Sequence, residues 1–368
     1  MASHRHRLDR FRHILVEQPF DTFLVSEPWS RAYLSGFWAD DPQLTESSGV
    51  LLITAEDQVL ATDFRYQEQA EKEAVGFRIV IYKEILTSAL PEIFSSLRTR
   101  NLGIESHHLT HDRFVRIEEA LKQWRPEGGL VPTLNLVEEL RMIKEPEEIE
   151  AMRSSLALTE SVFQAVAGEA AVGKTEKELS WRVEQLMRER GAESVSFPPI
   201  VASGPNAALP HAVPTDRALE KGETVIVDLG ARVGHYCSDM TRTLILGEPD
   251  SKVRTIYSIV REAQLRAIAS VRAGLSSQDA DRVARDCIAS AGFGENFGHG
   301  LGHGVGLAVH EKPGFGKTNS RVLEENMVVT IEPGIYLPGW GGVRLENMVR
   351  VTGDGCEVLN RDNSFYSF

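Results

Sequence analysis

Four carboxylates and a histidine in the C-terminal half, Asp228, Asp239, His303, Glu332 and Glu346, are separated by 11, 64, 29 and 14 residues. The spacing constrains the fold because the first and last intervals each close on a turn. Positions 228 and 239 lie on either side of a turn at Ala231-Arg232-Val233-Gly234, so an antiparallel hairpin entered through Val225-Ile226-Val227 is expected to set Asp228 opposite Asp239. Positions 332 and 346 are symmetric about Pro338-Gly339-Trp340 in the same way. Carboxylates held face to face on strands repel unless cations lie between them, and four of them match the charge of two divalent ions. The pattern predicts a dinuclear metal site carried on two hairpins.

The rest of the composition narrows the setting. A chain of 368 residues, 42% hydrophobic and 25% charged, is long enough for two or three domains with cores of their own. No apolar run approaches the roughly 18 to 20 residues that span a bilayer. A formal net charge of -13 excludes nucleic acid and an anionic membrane as natural partners, since neither is drawn to such a surface. The basic start, His4 to His13, lacks the apolar stretch and small-residue cleavage site of a secretory signal. It reads as the exposed face of a helix whose Leu8, Phe11, Ile14 and Leu15 point inward. Cys237, Cys287 and Cys356 form no CxxC pair, which suits a reducing cytoplasm.

Two domains are expected, 1–134 and 135–368. In the first, strand candidates at Thr22–Val25, Gly49–Ile53, Val59–Ala61, Phe77–Ile81 and Leu102–Ile104 alternate with amphipathic stretches at Ile85–Leu97 and Phe114–Trp124, the pattern of a compact α/β domain. His107, His108 and His111 lack ligand company and read as loop and helix-cap residues. Gly128-Gly129 and Pro132 mark the break. Beyond it, Pro146 opens a long helix to about Gly168, and Thr175 with Glu178 caps a second one to Gly191. Helices near Lys252–Ala273 and Ser277–Ala291 then separate the two acidic hairpins. Two halves, each a helix pair and a hairpin, imply an internal pseudo-repeat with the metals at its seam.

Six ordered motifs carry a family resemblance: Asp228-Leu229-Gly230, Ser238-Asp239-Met240-Thr241-Arg242-Thr243, His299 to Gly306, His310-Glu311, Glu332-Pro333-Gly334 and Gly342 to Asn347. Over roughly residues 137 to 368 they resemble the metallopeptidases of the pita-bread fold, most closely the Xaa-Pro branch of aminopeptidases P and prolidases. The resemblance implies an α+β protein, a C-terminal pita-bread (creatinase/aminopeptidase) domain with a pseudo-twofold repeat, preceded by a smaller creatinase-type α/β domain. It also implies that Asp228 binds the first metal, Asp239 and Glu346 bridge both, and His303 with Glu332 completes the second. Oxygen-rich ligands with one imidazole favour manganese, with cobalt or zinc as alternatives. Glu332 is the expected proton shuttle, and His211 and His310 the expected catalytic and substrate-binding donors to the scissile carbonyl. His299 would support the ligands from behind, and Arg344 would bind substrate or orient a ligand carboxylate.

The implied reaction is cleavage of the Xaa-Pro bond at peptide N-termini by a metal-bridging hydroxide, on a peptide with proline at the second position. Such bonds lack the amide hydrogen and have a locked φ, so they need a shaped apolar slot, for which Phe197, Pro198, Pro199 and Tyr236 are candidate walls. Prolidases often place an arginine just beyond the His-Glu motif to meet a dipeptide's free carboxylate. Here the stretch reads His310-Glu311-Lys312-Pro313-Gly314-Phe315-Gly316-Lys317, with no arginine before Arg321, which tilts the expectation to an aminopeptidase over a dipeptidase. A creatinase-like hydrolase or a non-catalytic binding module is disfavoured by the intact ligand set. A methionine aminopeptidase is disfavoured by the N-terminal domain. Aromatics and acids in Tyr33 to Pro42 look exposed and imply a homodimer whose N-terminal domain closes the other chain's cleft.

Overall fold

The computed structural model describes residues 2–368. Two compact units divide the chain, one ending at Arg141 and the other running Met142–Phe368.

The first unit is built on a six-stranded mixed sheet of order β4-β3-β2-β1-β5-β6. Its strands are β1 (Thr22–Val25), β2 (Val50–Ile53), β3 (Gln58–Asp63), β4 (Arg78–Tyr82), β5 (Asn101–Glu105) and β6 (Gly129–Thr133). Only β2 runs against the others. The helices are α1 (Ala2–Val16), α2 (Pro28–Ser35), α3 (Gln67–Glu73), α4 (Leu86–Leu97), α5 (His111–Trp124) and α6 (Leu136–Met142). One face of the sheet packs Leu24, Leu52, Val59, Leu102 and Ile104 against Phe94 of α4 and Leu121 of α5. The break expected at 134 is interrupted by β6, where Pro132 is tolerated because the strand lies at a sheet edge. The helix after it is held to this unit, Tyr33 Oη donating to the Leu140 carbonyl and Arg141 Nη1 to Glu27 Oε2 at 3.0 Å. Unit one therefore runs past 134 to Arg141.

Two expectations for this unit need correction. The aromatics of Tyr33 to Pro42 are not exposed: Tyr33 and Phe37 are buried, because Pro28 starts α2 and carries the segment through the core. The N-terminal basic face is also not wholly solvated, since Arg7 is buried with its guanidinium over the Tyr33 ring. Leu8, Phe11 and Leu15 do turn inward, while Ile14 is half-buried. His111 begins α5 behind the Thr110 cap, and His107 pairs with Glu138 at 2.8 Å.

In the second unit, α7 (Pro146–Glu169) and α8 (Glu176–Glu189) precede β7 (Ser194–Val195), β8 (Ile200–Ser203), β9 (Thr224–Leu229), β10 (Ala231–Val233), β11 (Tyr236–Cys237) and β12 (Met240–Ile245). The sequence then repeats the order: α9 (Ser251–Ser270), α10 (Ser277–Ser290), β13 (His303–Gly304), β14 (Glu311–Gly314), β15 (Val328–Ile331), β16 (Gly334–Leu337), β17 (Gly341–Arg344), β18 (Asn347–Val351) and β19 (Cys356–Val358). Pro146 and the reciprocal Thr175–Glu178 box start α7 and α8. A core of this half packs Val260 and Ala267 of α9 and Ala284 of α10 against Val329, Ile331, Val343 and Val349 of the second hairpin. Strands β9 and β12 pair antiparallel, as do β15 and β18, so each acidic segment lies in or beside a buried ladder.

Candidate metal centre

The first hairpin has a different register from the one read from symmetry. Leu229 pairs with Met240 and Asp228 with Thr241, while Arg232 pairs with Cys237, so the turn centres on Gly234-His235, both at positive φ. Asp239 is therefore not opposite Asp228. The shift is of even parity, and side chains alternate faces along a strand, so both carboxylates still emerge on one face as diagonal neighbours. In the second hairpin Ile331 pairs with Asn347 and Gly334 with Arg344, which puts Glu332 opposite Glu346 as read.

Ligand-type atoms of Asp239, His303 and Glu346 lie within 4.8 Å of one another. Asp228 and Glu332 line the same cleft of about 460 Å³, with His299, His310, His211 and Arg344. His303 reaches the group from β13, where glycines let the backbone run close to its neighbours: a Cβ at Gly302 would stand 2.1 Å from the Thr330 carbonyl, and one at Gly304 2.2 Å from that of Lys312. Its Nδ1 lies 3.0 Å from the Gly304 carbonyl, which fixes the proton there and leaves the Nε2 lone pair free. Nε2 points at Glu332 Oε1 (3.4 Å) and Asp239 Oδ2 (3.6 Å).

Neighbouring groups orient the carboxylates. Thr241 Oγ1 donates to Glu346 Oε2 at 2.7 Å, Thr330 Oγ1 to Glu332 Oε1 at 3.2 Å, and Arg344 Nη2 to Asp228 Oδ2 at 2.6 Å. Arg344 also donates through Nη1 to Tyr336 Oη and to the Pro210 carbonyl beside His211. Tyr336, whose hydroxyl in turn meets His299 Nε2 at 2.9 Å, was missed from sequence. The available signals were its place on the same strand face as Glu332, two alternations on, and the glycines at 334 and 342, where a Cβ would strike its ring. Tyr236 is no cleft wall: its hydroxyl turns to Glu148 Oε1 at 2.7 Å, whereas Phe197, Pro198 and Pro199 do line the cleft.

Electrostatics show which ligand the cluster suits. Burial raises the carboxyl pKa of Asp239 and Glu346 well above the ordinary range, and the facing carboxylates raise both further. Burial pushes Glu332 up to about 8. Burial likewise lowers His303 and His299 to about 4, keeping both imidazoles neutral, and lowers His310. Asp228 Oδ1 and Glu346 Oε1 are buried with no hydrogen-bond partner. Orphaned carboxylate oxygens of this kind are costly unless a cation meets them. The donor set thus fits divalent metal ions.

Residues 150–353 match the model of metallopeptidase family M24, and residues 7–143 that of the creatinase/prolidase N-terminal domain. The chain belongs to metallopeptidase family M24. It is similar to a Xaa-Pro dipeptidase from Bacillus anthracis, with a TM-score of 0.92 and 39% identity over 98% of each chain. An X-Pro aminopeptidase from Thermotoga maritima superposes with a TM-score of 0.86 at 35% identity, covering 97% of this chain and 99% of that one. A Xaa-Pro dipeptidase of Pyrococcus furiosus is 35% identical over 97% of this chain and 98% of that protein. The fold is accordingly the pita-bread metallopeptidase fold after a creatinase-type N-terminal domain, and the protein is a metal-dependent peptidase.

Proposed function

We propose that this M24 peptidase is a Xaa-Pro dipeptidase that works with two divalent ions, manganese by preference. The observation that carries the reading is the convergence of Asp239, His303 and Glu346 beside Asp228 and Glu332, in a cleft walled by Phe197, Pro198, Pro199 and Phe315. Dipeptidase moves ahead of the aminopeptidase expected from the His310 to Lys317 stretch, because relatives matching nearly the whole chain bear that name.

In this reading Asp228 would hold one ion and His303 with Glu332 the other, while Asp239 and Glu346 would serve both. Bound ions of this kind lower the pKa of water towards about 7 and polarise a carbonyl. His211 and His310 are exposed within the cleft, so their N–H groups reach the substrate and donate to the scissile carbonyl. Glu332, at the cleft, is the group that would carry a proton to the departing proline nitrogen. The apolar wall excludes water and accepts the pyrrolidine ring. Arg344 is committed to Asp228, Tyr336 and the His211 loop, and so positions groups as well as facing the cleft.

One observation favours the aminopeptidase as the second reading. Lys312 and Lys317 are exposed and absent from the cleft lining, where Arg344 is the one guanidinium or ammonium among the described residues. A dipeptide carboxylate left without a charge-assisted partner loses about 1 to 3 kcal/mol, roughly a factor of 5 to 150 in kcat/KM. Comparing Xaa-Pro with Xaa-Pro-Xaa in one manganese-supplemented buffer separates the two. Preference for the dipeptide is expected; equal or faster cleavage of the tripeptide makes the enzyme an aminopeptidase.

Cytoplasmic residence is included in the proposal, supported by a cysteine spacing that gives no CxxC pair. No helix among the described residues is long and apolar enough to cross a membrane. A homodimer is also included, on a new basis now that Tyr33 and Phe37 are buried. Leu209 and Val213, 56% and 76% exposed on either side of His211, are apolar surface that a second copy would cover.

A further inference from the structure

The motif Ser238–Thr243 contains a residue for which the metal reading has no use. Arg242 is 1% exposed, and a guanidinium so buried is destabilising unless every donor is met. Each one is. Nε donates to Asp362 Oδ2 at 2.8 Å, Nη1 to the carbonyls of Thr241 and Glu346, and Nη2 to Asn347 Oδ1 at 3.1 Å and the Asp362 carbonyl at 3.2 Å. The same junction is stitched by Glu346 N–H to the Thr241 carbonyl at 3.1 Å. The two carboxylates assigned to both ions, Asp239 and Glu346, come from different hairpins. Arg242 is the cation that ties the backbone of one to the backbone of the other.

Its counter-ion comes from the segment after β19. Glu160 Oε1 of α7 accepts the N–H groups of Arg361 and Asp362, at 2.7 and 2.9 Å. Ser364 Oγ donates to both oxygens of Asp362. The Phe365 ring lies 4.4 Å from the Arg242 guanidinium and 3.6 Å from that of Arg261. Beyond it, Tyr366 accepts the Ile245 N–H at the end of β12 and donates its own N–H to Tyr257 Oη. Anchors on α7, α9 and β12 thus converge on one guanidinium.

We propose that residues 361–366 form a strap that holds Arg242, and that Arg242 positions Glu346 against Asp239 so that both can share the ions. Arg242 and Asp362 are positioning residues, and the inference rests on the metal-site reading above. The test is titration of metal-free, full-length protein with Mn2+ in competition with a chelator, with circular dichroism reporting fold and Tm. Asp362→Asn and Arg242→Lys should bind the weaker ion about 10- to 100-fold less tightly, the range for residues that orient metal ligands, and should lower kcat more than KM. Phe365→Ala leaves the ion pair intact and should give a smaller loss in the same direction, which keeps the test decisive if the charge variants do not fold. Thr175→Ala, which removes the α8 cap, controls for general destabilisation and should bind metal as wild type does. Wild-type affinity in the folded strap variants, or an equal loss in Thr175→Ala, overturns the strap. If the wild-type protein itself binds no divalent ion, the metal reading fails and the strap with it.

Discussion

At the scale of single residues, the raised pKa values of Asp239, Glu332 and Glu346 are a statement about stability. A folded-state pKa above the unfolded value means that the folded protein keeps protons the unfolded chain has released. For Glu332 the window runs from the ordinary 4.5 to about 8, so stability from this source is full below 4.5 and is lost as pH rises to 8. Cations among the carboxylates remove the penalty. Chelated protein should therefore lose Tm from pH 5 to 8 relative to the manganese-loaded protein, a gap that scanning calorimetry reads directly; parallel curves would contradict it. His310→Ala and His211→Ala test a different role, since both side chains face the cleft and neither is assigned to metal. Each should lower kcat/KM by about 10- to 1,000-fold, as loss of a carbonyl-stabilising donor does, at unchanged metal content. Metal lost along with activity would make them ligand supports instead. That the four acids face one cleft was legible in sequence because acids brought together near two turns repel one another unless a cation sits between them, whereas His303 was named through the motif resemblance. Tyr336 was not, since a tyrosine on a strand is ordinary core material until its hydroxyl is seen between His299 and Arg344.

At the scale of elements, helices read well and strand registers less so. The Thr175–Glu178 box and Pro146 are local signals, and they mark their helix starts to within a residue. The first hairpin register depends on whether the chain reverses at Val233-Gly234, as opposed acids require, or one residue later at Gly234-His235, and symmetry of the acids alone does not decide it. The face survived the error because the slip was even. The edge strand β6 escaped notice because its Gly129 and Pro132 resemble a linker, and α2 because its start at Pro28 is followed by aromatics that look like a surface loop. One element carries a further consequence. Glu105, at the end of β5, accepts the Ser26 and Glu27 N–H groups on one oxygen, leaves the other without a partner, and is raised by burial to about 8. By the same sign argument its contribution is present below pH 4.5 and lost as pH rises to 8, at a steepest slope of about 1.4 kcal/mol per pH unit. Glu105→Gln should flatten the decline in urea-unfolding stability over that range; an unchanged slope would mean that Glu105 is ionised in the folded protein.

At the scale of the whole molecule, the two-domain plan and the repeat of helix pair and hairpin were legible because each half announces itself by caps and turns. Association was less so, since the segment thought to be surface is core. Light scattering at working concentration should give a dimer, and a fully active monomer would remove the dimer from the proposal. The net charge of -13 includes the acidic cluster, so the metal-loaded protein should be the less strongly charged form. The most direct test of the account is the metal content, by atomic spectroscopy after gel filtration, of wild-type protein and of Asp239→Ala and Glu346→Ala, paired with hydrolysis of a Xaa-Pro substrate. The account predicts two divalent ions per wild-type chain, and in each variant loss of the paired site and of turnover with the fold retained. Two ions and near-normal turnover in either variant would contradict it.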